Sequence, residues 1–159
     1  MKPYPQLIIG WREWVALPEL GIPAIKAKVD TGARSSAIHT FMIEPFESDE
    51  KRMVRFGVHP MQRRNDIEIF CEAEVLERRS VTSSTGHRER RYVIRTPIQI
   101  GHLTWSVEMT LAKRDNMNFR MLLGRTAIRE NCLVHSGASY LTGPGWTQAY
   151  QKKLEGDLH

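Results

Sequence analysis

Asp30, Thr31 and Gly32 follow one another at the end of an apolar run, and they are the residues of this chain best suited to chemistry. Asp30 supplies a carboxylate that can take up or give back a proton. Thr31 supplies a hydroxyl able to bond across to another stretch of backbone. Gly32 lets backbone approach something closely. Alone the triplet is a weak sign, because Asp in a turn commonly caps its own backbone. Two other stretches give it context. Met121-Leu122-Leu123-Gly124-Arg125, about ninety residues further on, is an apolar run ending in glycine. Between them lies the polar run Val81-Thr82-Ser83-Ser84-Thr85-Gly86-His87-Arg88, flanked by strand-like sequence. It reads as a hairpin able to cover a groove. Ser83, Ser84 and His87 carry nucleophile and base atoms. A polar hairpin tip explains them more simply.

The elements that must position these residues read as strands. Ile25, Ala27 and Val29 alternate with Lys26 and Lys28, the period of two of a half-buried strand that runs into Asp30. Similar runs are expected at 7–17, 37–43, 52–60, 67–76, 92–101 and 103–111, with Gly101-His102 as a hairpin turn. Glu44 to Lys51 reads as a polar turn and Glu77 to Arg91 as a polar stretch. Arg120 to Arg125 reads as a short buried strand, and Thr126 is expected to cap a short helix through Asn131. Further strands are expected at 132–135 and around Ser139-Tyr140-Leu141. Many short strands with little helix argue an all-β barrel or sandwich.

The 159 residues suit one domain, and 41% hydrophobic content supports a real core. The net charge of +5 favours acidic partners: an acidic peptide, a nucleic acid or a ribosomal surface. Cys71 and Cys132 lie far apart, fit no CxxC pattern and are expected as inert thiols. No apolar run is long enough for a transmembrane helix and no signal peptide is evident, so a cytoplasmic location without a membrane partner is expected. The six histidines are scattered, with no HExxH pair for zinc, and no GxxxxGK[ST] loop serves ATP. No metal and no cofactor is expected.

The Asp turn, the polar hairpin and the Leu-Leu-Gly run, in that order, resemble the retropepsin-like aspartic peptidases. The closer resemblance is to a bacterial subgroup labelled ATP-dependent zinc proteases. It rests on Gly10-Trp11-Arg12-Glu13, Ala27 to Arg34, Ser83 to His87 and Met121 to Arg125, and covers residues 7–142. It implies a mainly β fold: a closed β-barrel with one short helix over residues 1–145, followed by a polar tail at 146–159. The zinc and ATP of the label find no support in the residues.

Aspartic peptidases need two carboxylates sharing one proton. One triplet is present, so the resemblance implies a two-fold homodimer that brings in a second Asp30. Thr31 would brace the paired loops and Gly32 permit their approach. Ala33, Arg34, Ser83, Ser84, Thr85, Gly86, His87 and Arg125 are the expected substrate contacts. The subgroup is linked to systems that add glutamate tails to a ribosomal protein, so an acidic tail is the implied substrate. Arginines around the hairpin suit carboxylates. One departure stands out. Retroviral members commonly carry an acidic residue two positions after the glycine, paired with the later arginine. Here Arg34 stands there, so that pair with Arg125 cannot form. The rival reading is a non-catalytic basic β-barrel that binds RNA or a ribosomal surface.

Overall fold

The strand that carries Asp30 and the strand that follows it are not neighbours. In the computed structural model, which describes residues 7–82, 85–114, 117–143 and 150, β3 (Ile22–Asp30) and β4 (Ser36–His39) are separated by β11 (Met121–Gly124). β11 runs parallel to β3, pairing Leu123 with Val29 and Gly124 with Asp30. It runs antiparallel to β4, pairing Met121 with Ile38. The turn from Asp30 to Ser35 must therefore arch over the end of β11.

The rest of this sheet follows from antiparallel pairing. β2 (Arg12–Leu17) lies beside β3, and β9 (Arg88–Ile100) beside β2. β9 and β10 (Leu103–Ala112) form a hairpin through Gly101, whose φ of 58° suits glycine. β10 in turn pairs with β4 in parallel. The pairings thus run β10-β4-β11-β3-β2-β9 and return to β10. Their shared interior is apolar: Ile25, Ile38, Ile98, Met109, Met121 and Leu123 are fully buried. Each such side chain contributes about 1.5–3 kcal/mol by leaving water.

β8 (Glu77–Thr82) pairs with the first half of β9 and ends this sheet. A second sheet holds β5 (Met42–Ser48), β6 (Lys51–Val58) and β7 (Ile69–Glu74) in that order. Val54, Phe56 and Val58 of β6 turn inward at a period of two. A third, small sheet pairs β1 (Leu7–Ile9) in parallel with β12 (Cys132–Val134). One short helix, α1 (Arg125–Ile128), follows β11.

Several sequence expectations need correction. Residues 44–48 belong to β5 rather than to a turn; the reversal is at Asp49 and Glu50, both at positive φ. Pro45 fits there because β5 is an edge strand. Residues 77–82 are β8, not a polar stretch, since its outward residues meet water on an outer strand. The run 7–17 breaks at Gly10-Trp11 into two strands in different sheets. Ser139 to Leu141 forms no strand, and Tyr140 has a φ of 53°. Gly124, not Thr126, is the N-cap of α1, and Thr126 Oγ1 donates to Arg34 O instead. Most of the expected polar tail lies outside the described residues. Tyr150 within it is buried beside Trp14, Ala24 and Ile67, and its hydroxyl donates to Ala24 O.

Candidate active site

Asp30 leaves β3 half-buried, and its own turn fixes it. Oδ1 accepts hydrogen bonds from the N–H groups of Gly32 at 3.0 Å and Ala33 at 3.2 Å. Among the described residues Oδ2 accepts none, so one carboxylate oxygen is held and the other is open.

The segment beneath the turn fixes it a second time. Arg125 N donates to Ala33 O at 2.7 Å and Thr126 N to Arg34 O at 3.2 Å. The N–H of Gly124 donates to Ser36 Oγ at 2.9 Å. A Cβ on Gly124 would stand 2.5 Å from the Ser35 carbonyl carbon and oxygen. Only glycine allows this approach, which is the physical reason for the Leu-Leu-Gly run.

A groove of about 550 Å³ opens beside the turn, lined by Gly32, Ala33, Arg34 and Ser35 on one side. Arg79 to Thr82 of β8 and Arg91 of β9 line it too. The hairpin stem thus meets the Asp turn. Ser83 and Ser84 lie outside the described residues. Thr85, Gly86 and His87 stand exposed at the hairpin end, and none of them lines this groove. Arg125 does not line it either; its Nη1 donates to Thr31 O at 3.1 Å and so braces the turn. This replaces the ion pair that Arg34 precludes. Thr31 is exposed, and a Cβ on Gly32 would meet only Asp30 Oδ1, at 3.3 Å.

Arg79 is the residue that sequence reading undervalued. Its guanidinium sits 2.6 Å from Glu77 and 2.9 Å from Glu108. These carboxylates fix its direction, and hydrogen bonding, to Glu108 first, raises its pKa. The period of two along β8 puts Arg79 and Val81 on one face. Arg91 is half-buried, 3.6 Å from Glu89 and within reach of Thr110.

A second carboxylate has a different part. Glu13 is fully buried and accepts from the N–H groups of Gly10 at 2.6 Å, Leu141 at 2.9 Å and Thr142 at 3.2 Å. The Thr142 hydroxyl adds a fourth bond. Gly10 packs so tightly that a Cβ would lie 2.2 Å from Ala138 O. The Gly10-Trp11-Arg12-Glu13 run is therefore a clamp between β2 and residues 138–142. Among the described residues no group of three or more His, Cys, Asp or Glu comes together.

A family model described as "Retropepsin-like aspartic endopeptidase RimB" matches residues 8–144. The chain belongs to this RimB-like family. It is 48% identical over 138 residues to a protein of Shewanella pealeana named "Probable alpha-L-glutamate ligase". A protein of the same name from Parasynechococcus marenigrum is 46% identical. Each match covers 87% of this chain and 30% of the relative, so the chain spans under a third of these curated relatives. A crystal structure of a Legionella pneumophila protein of unknown function matches with a TM-score of 0.71 at 25% identity. That match covers 86% of this chain and 98% of the other. The RimB-like assignment fits the turn over Gly124 and the hairpin beside it.

Proposed function

We propose that this chain is an aspartic peptidase, active as a two-fold homodimer, that cuts glutamate-rich protein tails such as that of a glutamylated ribosomal protein. The observation that carries the reading is the Asp30 turn, locked over Gly124 with Oδ2 open, beside an arginine-lined groove. In the dimer each barrel, closed through β9 and β10, contributes one Asp30 to a pair of carboxyls. Two such groups held ~3 Å apart share one proton. The ionised one takes a proton from water as its oxygen attacks the scissile carbonyl carbon. The protonated one donates to the carbonyl oxygen. The tetrahedral intermediate then collapses: the carboxyl that took the water proton gives it to the leaving nitrogen, the C–N bond breaks, and a hydroxyl of the intermediate returns its proton to the other carboxylate.

Arg34, Arg79 and Arg91 line the groove and make it attractive to carboxylates, with Arg34 forming no ion pair among the described residues. The glutamate-ligase names of the longer relatives agree with a substrate that carries added glutamates. The test compares cleavage of glutamate-tailed and neutral peptides by the native chain and by Asp30→Asn. Selective cutting of the acidic peptide, lost in the variant, supports the reading. Equal rates on both peptides contradict the acidic substrate, and undiminished cutting by Asp30→Asn contradicts the mechanism.

A basic module for RNA or a ribosomal surface is the second reading. The Arg12 guanidinium lies 4.5 Å from the centre of the Trp11 ring and 5.0 Å from that of Tyr140, with Lys26 near Trp14 and Tyr140. Burial, then Arg12 and Arg63, holds Lys26 below the usual lysine range. If Asp30→Ala leaves RNA binding intact and no peptide is ever cut, this second reading prevails.

A further inference from the structure

Arg34, Ser35 and Arg79 line a second groove as well, of about 300 Å³, whose other walls include Arg95, Arg129 and Thr126. Four guanidinium groups meet there with a single carboxylate, Glu108. That carboxylate is already engaged, its Oε1 accepting from Arg79 Nη2 at 2.9 Å. Among the described residues no acidic group forms an ion pair with Arg34, Arg95 or Arg129. Four guanidinium groups against one carboxylate leave an excess of positive charge in this concavity, which raises the local potential and draws in an anion. The guanidinium fork matches the two oxygens of a carboxylate. Glu108 accepting from Arg79 through one oxygen shows that a carboxylate is accommodated in this groove. No aromatic side chain lines the groove, so it lacks the stacking platform that single-stranded nucleic acid uses.

We propose that this groove is a second anion subsite, apart from the groove beside Asp30. It takes a side-chain carboxylate of the peptide at a distance from the bond to be cut. Arg95 and Arg129 set its specificity, and Arg79 joins the two grooves. This rests on the reading of the chain as a peptidase for acidic tails.

The test is calorimetric titration of hexaglutamate into Asp30→Asn protein and into the same protein carrying Arg95→Gln and Arg129→Gln. Both arginines are exposed, so the fold survives, as circular dichroism checks. The expected result is an affinity loss of about tenfold or more, greater at low salt. Equal affinity overturns the subsite. A single-stranded RNA hexamer that binds more tightly than hexaglutamate, with the same dependence on both arginines, overturns the carboxylate assignment. Because binding needs no turnover, a native chain that cuts nothing sinks the peptidase reading without deciding the subsite. In a chain that does cut, the double substitution raises KM for a glutamate-tailed peptide by about tenfold.

Discussion

Asp30 and Glu13 both accept hydrogen bonds from backbone N–H groups, and burial gives them different parts. Asp30 is half-exposed, with Oδ1 fixed and Oδ2 accepting no hydrogen bond among the described residues; Glu13 is sealed, with four donors on it. Desolvating a carboxylate costs several kcal/mol, and charge-assisted bonds of about 1.5–3 kcal/mol each offset it. Glu13→Ala would leave three N–H groups and a hydroxyl unsatisfied. A loss of about 3 kcal/mol or more is expected in denaturant unfolding. A loss under about 1 kcal/mol would show that the clamp is dispensable. The thiols give a pH prediction. Burial pushes Cys71 up to about 12, and burial with nearby Glu13 pushes Cys132 up to about 11. The folded state thus binds these protons more tightly than the unfolded one. Their contribution to stability is full below the ordinary thiol range, near pH 9, and fades as pH rises through about 11 to 12. At neutral pH neither thiol should react with a disulfide reagent until the protein is unfolded. Fast native labelling would contradict this. The role of Glu13 was not legible in sequence, because its donors come mainly from residues 141 and 142, far along the chain.

At the scale of elements, two glycines separate fold from function. A Cβ on Gly124 would meet backbone of Arg34 and Ser35, which cannot swing aside. Gly124→Ala should lower stability and displace the Asp turn, seen as a fall in melting temperature together with loss of cleavage. Gly32 faces no such crowding within its own chain. Gly32→Ala should leave the melting temperature of the isolated chain nearly unchanged, yet abolish cleavage by keeping the two turns apart in a dimer. Full activity in Gly32→Ala would contradict close pairing of the turns. The strand into Asp30 and the Leu-Leu-Gly strand were legible because a period of two and a terminal glycine are local signals. That β11 lies between β3 and β4 was not, since register across ninety residues leaves no trace in spacing. The hairpin was legible as two flanking strands with a polar tip. Its stem, at residues 79–82, lines the groove from β8, which read as merely polar.

For the whole molecule, the single triplet is the decisive fact. One Asp-Thr-Gly supplies half of a carboxyl pair, so the proposed chemistry needs two chains. Among the described residues no helix is long and apolar enough to cross a membrane. The relatives named as ligases are more than three times the length matched here, so their name describes a larger assembly of parts. The most direct measurement mixes native chain with Asp30→Asn at fixed total concentration, allows exchange, and follows cleavage of a glutamate-tailed peptide. If both carboxyls are required, activity falls as the square of the native fraction, to about a quarter at equal amounts. A linear fall, to about one half, would mean that a single Asp30 suffices and would contradict the paired site.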